Sequence, residues 1–409
     1  MKIYSIHASA YWTLAFLVCS FCFACTEPSS DNSETVHEEF VQGDACSQGV
    51  PSEEELSRVN TQIEVEMEVG SGLPELEQQC EEVVGQPIVE EVVPGLFVAR
   101  GFDLANTILI QTPEGNVVVD VSISPEAAKL VKAALHDVAP GPTLAIIYTH
   151  SHADHIGGAS VWAEEGTQIW ATDAFFPHLI KQYGSFRGAE VRRSQLQFGD
   201  DLGADALPCS ALGARPSIEN ALTTGVRKPT HTFSGSISIE IGGLELELVE
   251  AHGETHDHLF VWIPSLDTLL PGDNYYSAFP NLYTIRGTSP RPVQAWIKSL
   301  DQMRRFDPEH LVPSHTGPIS GRDKVRSALR NYRDAIQSIR NQVVRGANQL
   351  QTPDELVEHI KLPEHLMEDP ALHELYGQVD WSIRAIFSNE LGWFDGRVEK
   401  LYPPDNALA

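Results

Sequence analysis

The sequence predicts a mixed α/β fold, an αββα sandwich that is followed by an all-α region. Short strand-like runs are followed by amphipathic helices twice along the chain, and side chains that can bind metals follow several of these strands. Beyond Gly321 the pattern becomes helical. The chain has 409 residues, more than one domain usually needs, so we expect a main domain, a smaller domain and chain outside both.

The chain is strongly acidic, with a formal net charge of −29. Binding to phosphates requires a basic face, so this charge argues against a nucleic-acid partner. Much of the acidity lies in residues 27–91, which leaves room for a local basic pocket that binds a small anion.

The first residues have the layout of an export signal. Lys2 precedes an apolar run at residues 11–24, and a polar segment follows Cys25. Cys25 after a small residue also resembles a bacterial lipoprotein junction, although Cys22 and Phe23 do not fit that pattern. Free secretion and a lipid anchor through Cys25 both stay open, and both predict an exported protein that is periplasmic, secreted or membrane-anchored.

The sequence divides into five expected segments. Residues 1–25 form the signal, 26–87 an acidic flexible linker with one helix around 53–68, 88–320 the sandwich domain, 321–402 a helical domain, and 403–409 a tail. Cys46 and Cys80 bracket the acidic segment and are candidates for a disulfide, whereas Cys209 is expected to be unpaired and buried.

Strand and helix signals define the sandwich. The expected strands lie at residues 92–99, 106–111, 116–121, 144–148, 168–172, 236–241, 244–248, 260–263 and 268–270. A helix capped by Ser124 is expected to bury one face. That face consists of Ala127, Leu130, Val131, Ala134 and Leu135. Residues 173–232 form a long irregular insert, rich in arginine and aromatic residues, which we expect to cover the functional site.

Apolar residues beyond Gly321 recur at alternating intervals of four and three. This seam consists of Val325, Leu329, Tyr332, Ile336, Ile339 and Val343. Its shortness favours packing within the chain over an oligomer contact. Thr352 and Glu355 then form a capping box that begins another helix.

The segment 149–158 offers the clearest chemical signal. It follows a buried strand, and four side chains that can bind metals lie within six of its residues. They are His150, His152, Asp154 and His155. Their burial is costly unless something binds them, and they offer nitrogen and oxygen ligands to two neighbouring metal ions. The alternative, a solvated histidine-rich loop, is disfavoured by the preceding strand and by the glycine pair 157–158, which lets the chain turn into a helix.

One short loop cannot complete two coordination spheres, so further ligands are expected in segments 252–258, 271–274 and 313–317, which follow later strands. With its His-x-His-x-Asp-His motif, a later Gly-Asp and a final Ser-His, the chain resembles the metallo-β-lactamase superfamily. Glu254, residues 281–287 and residues 391–396 make it similar to the linear primary-alkylsulfatases of that superfamily, zinc enzymes that hydrolyse alkyl sulfates.

The resemblance runs from about Val92 to Tyr402. It implies a metallo-β-lactamase sandwich and an alkylsulfatase-type dimerisation domain at residues 321–402. It therefore implies that the protein is a homodimer and that the heptad seam takes part in the dimer contact.

The resemblance also implies a site with two zinc ions per chain. One zinc ion would be held by His150, His152 and Glu254, the other by Asp154, His155 and His315, with Asp273 bridging them. Such a pair lowers the pKa of a shared water and holds hydroxide as the nucleophile. Asn281 and Arg286 are implied to bind the sulfate group, and together with Asp273 they are the implied catalytic residues. Supporting roles are expected for His252, His256, Asp257 and His258.

Two positions depart from the family pattern. Trp381 stands where alkylsulfatases tend to have a histidine, and Phe198 stands where they have a tyrosine. The metal and sulfate residues are therefore kept, while the groups that handle a proton have changed.

The leading hypothesis is an exported, dimeric, zinc-dependent hydrolase of sulfate esters, with alkyl sulfates as the expected substrates. The sequence leaves open whether the S–O or the C–O bond is cleaved. One alternative is a hydrolase of the same fold that acts on a lactone or a phosphoester. Another is a non-catalytic protein that binds a sulfated ligand; the full set of metal ligands disfavours it, because a binder needs no activated water.

Overall fold

The protein is described here by a computed structural model that covers residues 74–184, 186–203, 206–216 and 225–401. These residues belong to the unit Glu68–Ala409. The expected signal with Cys25, the helix around residues 53–68, Cys46 and the tail at 403–409 lie outside the described residues.

Two sheets form the centre of the described part of the chain. The first has seven strands, in sequence order across the sheet: β1 (Ile88–Val93), β2 (Leu96–Arg100), β3 (Thr107–Thr112), β4 (Gly115–Val119), β5 (Thr143–Ile147), β6 (Gln168–Thr172) and β7 (His231–Phe233). The pairs from β1 to β4 are antiparallel, and those from β4 to β7 are parallel.

The second sheet has six strands: β8 (Ser236–Ile241), β9 (Leu244–Glu250), β10 (Leu259–Ile263), β11 (Thr268–Leu270), β12 (His310–Leu311) and β13 (Ile319–Ser320). The β8–β9 hairpin predicted from strict alternation is present. Only β11 and β12 pair in parallel; the other neighbours in this sheet are antiparallel.

The helices described are α1 (Pro74–Gln78), α2 (Pro125–Val138), α3 (Ala153–Ile156), α4 (Ala159–Trp162), α5 (Phe175–Tyr183), α6 (Arg187–Gln197), α7 (Val293–Phe306), α8 (Arg322–Ala347), α9 (Pro353–His359), α10 (Glu364–Met367) and α11 (Val379–Leu391). None of them combines the length and the apolar character needed to cross a membrane. The stretch 173–232, expected to be irregular, thus contains the two helices α5 and α6.

Alternating residues of the strands build the layers of the sandwich. Leu96 and Val98 on β2 face the second sheet and pack with residues such as Leu248, whereas Phe97 and Ala99 face the other way, towards α2. The outer face of the second sheet packs against α7, α8 and α11 in a third core. This arrangement confirms the predicted αββα order and the helical region after it.

Helix α2 begins as predicted, because the Ser124 side chain accepts a hydrogen bond from the Ala127 N–H at 3.2 Å. Val131 and Leu135 are buried as predicted, but Leu130 is 65% exposed and Ala128 is buried in addition. A Cβ added to Gly158 would lie 2.4 Å from the Ala128 Cβ. The glycine pair forms the turn into α4, as predicted. Gly158 also permits a close approach of α2, and this approach selects the face with the small residue.

The heptad seam lies on α8 and is buried within the single chain. All six of its residues are at most 2% exposed, and they pack into the core shared with the second sheet and with α7 and α11. The implied use of this seam as a dimer contact is therefore wrong, since the side chains are already covered. The capping box is confirmed: Thr352 and Glu355 exchange hydrogen bonds at the start of α9.

The cysteine prediction is wrong as well. Cys80 forms a disulfide with Cys209, so Cys209 is not free and Cys80 does not pair with Cys46. Residues 74–84, expected in the flexible linker, are helical. Gln79 donates hydrogen bonds to the carbonyls of Ala211 and Ser277 at 3.1 and 2.8 Å. This tertiary contact places Cys80 beside a residue 129 positions away, which sequence order cannot indicate.

Candidate metal centre

The carboxyl ends of strands from both sheets bring the predicted ligands to one edge of the sandwich. The loop after β5 carries the His-x-His-x-Asp-His motif, the turn after β11 carries Asp273, and the loop after β12 carries His315. Two groups of side chains result, each with its donor atoms within 4.8 Å of one another. They are His150, His152 and Asp273, and Asp154, His155 and His315.

Asp273, a member of the first group, also lies close to the histidines of the second group. Its Oδ2 atom is 3.6 Å from His150 Nε2, 3.4 Å from His155 Nε2 and 3.2 Å from His315 Nε2. The strand end and its turn hold it there: Gly272, at φ +58°, brings the chain so close to His258 that an added Cβ would lie 2.6 Å from that ring. His258 Nε2 accepts a hydrogen bond from the Asp273 N–H at 3.0 Å, a supporting role of the kind expected for it.

Hydrogen bonds to the far side of each histidine decide which nitrogen faces the centre. The carbonyl of Leu104 only accepts, so His315 donates from Nδ1 at 2.8 Å, and its Nε2 atom faces the centre. His155 donates from Nδ1 to Asp120 Oδ2 at 2.7 Å. The Thr149 hydroxyl donates a hydrogen bond to Asp120, so its oxygen accepts one from His150 Nδ1 at 3.0 Å. All three rings therefore present Nε2 as a ligand atom.

Asp120 organises this edge, although it was not predicted from the sequence. It follows β4 at φ +57° and is fully buried. Besides His155, it accepts hydrogen bonds from the Thr149 N–H at 2.9 Å and from the Ser314 hydroxyl at 2.7 Å. It thus ties the motif loop to the loop of His315. The signal that could have found it is the one used for the motif, an ionisable side chain directly after a buried strand.

The donor set fits a metal ion. Nitrogen and carboxylate oxygen are ligands that zinc accepts in proteins. Within the described part of the chain, His155 Nε2, Asp273 Oδ1 and Glu254 Oε2 are buried and have no hydrogen-bond partner. Buried polar atoms are rarely left unsatisfied, and a cation between the two groups would supply what these atoms lack.

The charges in the centre are strongly interdependent. Burial lowers the pKa of His150 and His152, which keeps both rings neutral. Burial also acts against charge on His155 and His315, but the carboxylates of Asp273 and Asp154 outweigh it and raise both pKa values. In the same way, the neighbouring histidines outweigh burial at Asp273 and hold its pKa well below its usual range.

Glu254 lies beside the first group rather than inside it. Its Oε1 atom is 3.9 Å from His152 Nδ1 and accepts from Arg291 Nη1 at 2.8 Å. Burial raises the pKa of Glu254 to about 7, although the Arg291 guanidinium works in the opposite direction. Arg291 also donates to the Asn281 carbonyl. This arginine, which no motif in the sequence indicates, connects Glu254 to Asn281.

The structure places Arg286 against the ring of His152, with Nη2 and Nε2 separated by 3.2 Å. Its Nη1 atom lies 3.2 Å from Glu190 Oε1. Gln197 accepts hydrogen bonds from the Arg286 N–H at 3.0 Å and donates to the Tyr376 hydroxyl at 2.8 Å. We call Arg286, Glu190, Gln197 and Tyr376 the Arg286 cluster. Asn281, five residues before Arg286 in the chain, is buried. Its Oδ1 atom has no hydrogen-bond partner among the described residues.

The insert contributes to the site, as expected, through its two helices. Tyr183 on α5 accepts a hydrogen bond from the Ala153 N–H at 3.0 Å, between two of the presumed ligands. Glu190 and Gln197 on α6 hold Arg286. These three contacts were missed, because nothing in the local sequence of an irregular stretch indicates which side chains reach a distant loop.

The other singled-out residues take supporting or apolar positions. Phe198 is buried in an apolar cluster with Leu104 and Tyr276. Trp381 lies half-buried in the first turn of α11. His252 pairs with Glu250 at 2.9 Å, and His256 contacts the Pro290 carbonyl at 2.9 Å. Asp257 Oδ1 is 3.4 Å from His178 Nδ1, and His178 in turn contacts the Ser151 hydroxyl at 3.0 Å.

An αββα sandwich with two groups of histidine and aspartate at one edge of the sandwich defines a class of metal-binding folds. A family model described as the metallo-beta-lactamase superfamily matches residues 100–315, and one described as alkyl sulfatase dimerisation matches residues 352–408. The chain belongs to the metallo-beta-lactamase superfamily, and its helical end contains an alkyl sulfatase dimerisation segment.

Named relatives agree with this assignment. A linear primary-alkylsulfatase of Pseudomonas sp. (strain ATCC 19151) is 36% identical over 304 residues, 72% of this chain and 57% of that protein. An (R)-specific secondary-alkylsulfatase of Pseudomonas sp. is 28% identical over 340 residues, 78% of this chain and 50% of that protein. The chain therefore spans only about half the length of these curated relatives.

A solved structure shows the same architecture. The stereoselective inverting sec-alkylsulfatase Pisa1 from Pseudomonas sp. superposes with a TM-score of 0.76 at 27% identity, over 82% of this chain and 55% of that one. The αββα sandwich followed by a helical region is thus the fold of this chain.

Proposed function

We propose that this protein hydrolyses sulfate esters, with alkyl sulfates as substrates and two zinc ions in its centre. The observation that carries the proposal is the position of Arg286, whose guanidinium lies 3.2 Å from the ring of the presumed zinc ligand His152. A cation beside a metal centre is suited to hold an anionic ester over the attacking group. The alkylsulfatases among the relatives support the choice of sulfate.

His150, His152 and Glu254 would hold one zinc ion, Asp154, His155 and His315 the second, and Asp273 both. When bound, this pair of ions would activate a water for attack on the ester. The chain's own contribution is orientation. Asp120 and the Leu104 carbonyl fix the rings of His155 and His315 with Nε2 inward.

Arg286 and Asn281 would bind the sulfate group. A guanidinium offers parallel donors to the oxygens of such a group, and Gln197 holds the Arg286 backbone in place. The proton that the leaving alcohol needs cannot come from Phe198, a hydrocarbon side chain buried in the apolar cluster. Tyr376 is a better candidate. Its oxygen accepts a hydrogen bond from Gln197, so its hydroxyl hydrogen is not used in that contact. Burial raises the pKa of Tyr376, so the hydroxyl stays protonated and can act as a proton donor.

The deciding assay compares sulfate release from dodecyl sulfate with hydrolysis of a lactone and of a phosphoester by the same preparation. Zinc analysis should give about two ions per chain, as a dinuclear centre requires. Turnover of the lactone or the phosphoester alone would favour the alternative hydrolase, and a stable, folded, metal-free protein would exclude every zinc-dependent activity, leaving the sulfated-ligand binder.

The variant Arg286→Ala should abolish release of sulfate while the zinc content stays unchanged. The matched control is Arg304→Ala, which removes an arginine of α7 that pairs with Asp301 at 3.0 Å. Sulfatase turnover that survives Arg286→Ala would contradict the assignment of the sulfate-binding residues.

We further propose that the protein is exported. The signal-like first residues support this location, and so does the Cys80–Cys209 disulfide, because such bonds persist in oxidising compartments. Cell fractionation tests export, and labelling with a radioactive fatty acid in a Cys25→Ser comparison separates a lipoprotein from a freely secreted protein. Recovery of the full-length chain from the cytoplasm would contradict the proposal.

Finally, we propose a homodimer formed through the alkyl sulfatase dimerisation segment. This segment exposes Leu391 and Trp393 at 63% and 69%, in contrast to the buried heptad seam. Sedimentation of the purified protein measures the assembly, and a monomer at all concentrations would contradict it.

A further inference from the structure

The ion pair between Glu190 and Arg286 is not explained by anion binding alone. Glu190 Oε1 lies 3.2 Å from Arg286 Nη1, and the two side chains are only 12% and 10% exposed. A carboxylate at this distance repels any anion that binds the same guanidinium, and partial burial strengthens the repulsion. Glu190 thus weakens the binding of the group that Arg286 is proposed to hold.

The geometry of α6 makes this contact a fixed feature. Glu190 and Gln197 are seven residues apart, which places them on one face of the helix, two turns from each other. Gln197 accepts from the Arg286 backbone N–H at 3.0 Å, while Glu190 contacts the guanidinium of the same residue. The helix therefore holds both ends of Arg286.

The second arginine near the ligands also has a carboxylate partner. Arg291 Nη1 donates to Glu254 Oε1 at 2.8 Å, and both side chains are buried. Each arginine thus has one carboxylate partner. Without its partner, Arg286 would present a full positive charge to the ligand; with Glu190 beside it, the pair as a whole has none.

Charge is what separates the proposed substrate from its competitors. An alkyl sulfate carries one negative charge near neutral pH. Its hydrolysis adds the elements of water, releases the alcohol and yields hydrogen sulfate, which loses a proton to water and becomes the dianion. Alkyl phosphates are also dianions at mildly alkaline pH. Since Coulomb energy is proportional to the ligand charge, a fixed carboxylate disfavours a dianion twice as strongly as a monoanion.

We propose that Glu190 is a specificity-determining residue that makes the Arg286 cluster select monoanionic sulfate esters over dianions, both phosphate monoesters and the sulfate product. The proposal rests on the proposed function, because it concerns the anion held at the same arginine. It gives the insert helix α6 a definite role: the helix supplies the charge that rejects the wrong ligand and helps to release the product.

The test compares two ligands with the same chain, octane-1-sulfonate as the monoanion and octyl phosphate as the dianion, by calorimetry on the metal-loaded protein at pH 8. Neither ligand is a sulfate ester, so the measurement does not depend on sulfatase turnover, and an assay for inorganic phosphate after each titration checks that octyl phosphate is not hydrolysed. Glu190→Gln should tighten both ligands, and it should tighten octyl phosphate at least about tenfold more than the sulfonate, the effect of one additional charge near a partly buried carboxylate.

Two further variants separate charge from shape. Glu190→Asp keeps the charge and should keep the preference for the sulfonate, and Glu190→Ser is a second neutral variant that should behave like Glu190→Gln. The matched control is Glu164→Gln, which removes a carboxylate paired with Lys132 at 3.2 Å on the α2 side of the sandwich and should leave both affinities unchanged.

Equal tightening of the two ligands, or no change in either, would overturn the proposal. Binding of neither ligand to the unmodified protein would overturn it together with the assignment of Arg286. If the charge preference behaves as expected but dodecyl sulfate is not hydrolysed, the proposed function fails and the role of Glu190 stands. In an active enzyme, Glu190→Gln should also lower the inhibition constant of inorganic sulfate more than it lowers the KM of the ester.

Discussion

Asp120 is the buried carboxylate on which the metal-ligand loops converge, so its removal should loosen one half of the centre. In Asp120→Ala, the Thr149 N–H and hydroxyl, His155 Nδ1 and the Ser314 hydroxyl all lose their acceptor. The rotation of the His155 ring is then no longer fixed, and the loop of His315 loses its connection to the motif loop.

The magnitude follows from the burial of these groups. Taking away one partner of a buried, charged hydrogen-bond network costs about 3–5 kcal/mol of folding free energy. Loss of a hydrogen bond that supports a ligating histidine lowers metal affinity about 10–100-fold. We expect the weaker binding at the group of Asp154, His155 and His315, because His155 is the ligand that donates directly to Asp120.

Competition with a coloured zinc chelator measures the two affinities, and urea unfolding measures the stability. The control is Asp137→Asn, which changes an exposed carboxylate on α2. If Asp120→Ala retained two zinc ions with unchanged affinities, the geometry described here would not be what holds the second ligand group, and the reasoning would be refuted.

The remaining two predictions concern the fold. Ile336→Ala should lower the free energy of unfolding by about 2–5 kcal/mol, because it opens a cavity in a core within one chain. The control Leu350→Ala, at an exposed site, should change it little. If Ile336→Ala made a dimer dissociate without changing the stability of the subunit, the buried seam would be contradicted. Under oxidising conditions, Cys209→Ser should lower the free energy of unfolding by about 2–5 kcal/mol relative to the unmodified protein. Under reducing conditions, the variant and the unmodified protein should be equally stable. An equal loss in Cys46→Ser would contradict the Cys80–Cys209 pairing.

The parts of this protein that depend on local sequence could be predicted. The Ser124 cap and the Thr352 capping box are formed by residues three apart, and both are present. The six candidate ligands that the structure groups follow β5, β11 and β12, and the parallel strands β11 and β12 end at the same edge of their sheet. A pattern of apolar strand followed by a ligand therefore carries enough information to place the metal centre.

The parts that depend on contacts between distant segments could not be predicted. Leu130 is more apolar than Ala128, but only Ala128 fits against Gly158, so the closeness of the packing decides the buried face. The Cys80–Cys209 pair depends on where residues 74–84 dock. The heptad seam is similar: periodicity shows that one face of α8 is covered, and the tertiary structure decides that α7 and α11 cover it.

The same limit explains why the sequence indicates the anion-binding arginine but not its selectivity. A motif can identify Arg286, since it lies in a segment with a family pattern, yet the charge that a ligand meets there depends on the partner of the guanidinium. That partner, Glu190, is 96 residues earlier in the chain, on a helix of the insert. Because the metal ligands are set by the sandwich and the partner by the insert, a change in α6 can alter which anions are accepted while the metal centre stays intact. The proposed anion selection and the proposed metal binding thus depend on separate elements, and substitutions at Glu190 and Asp120 should affect them independently.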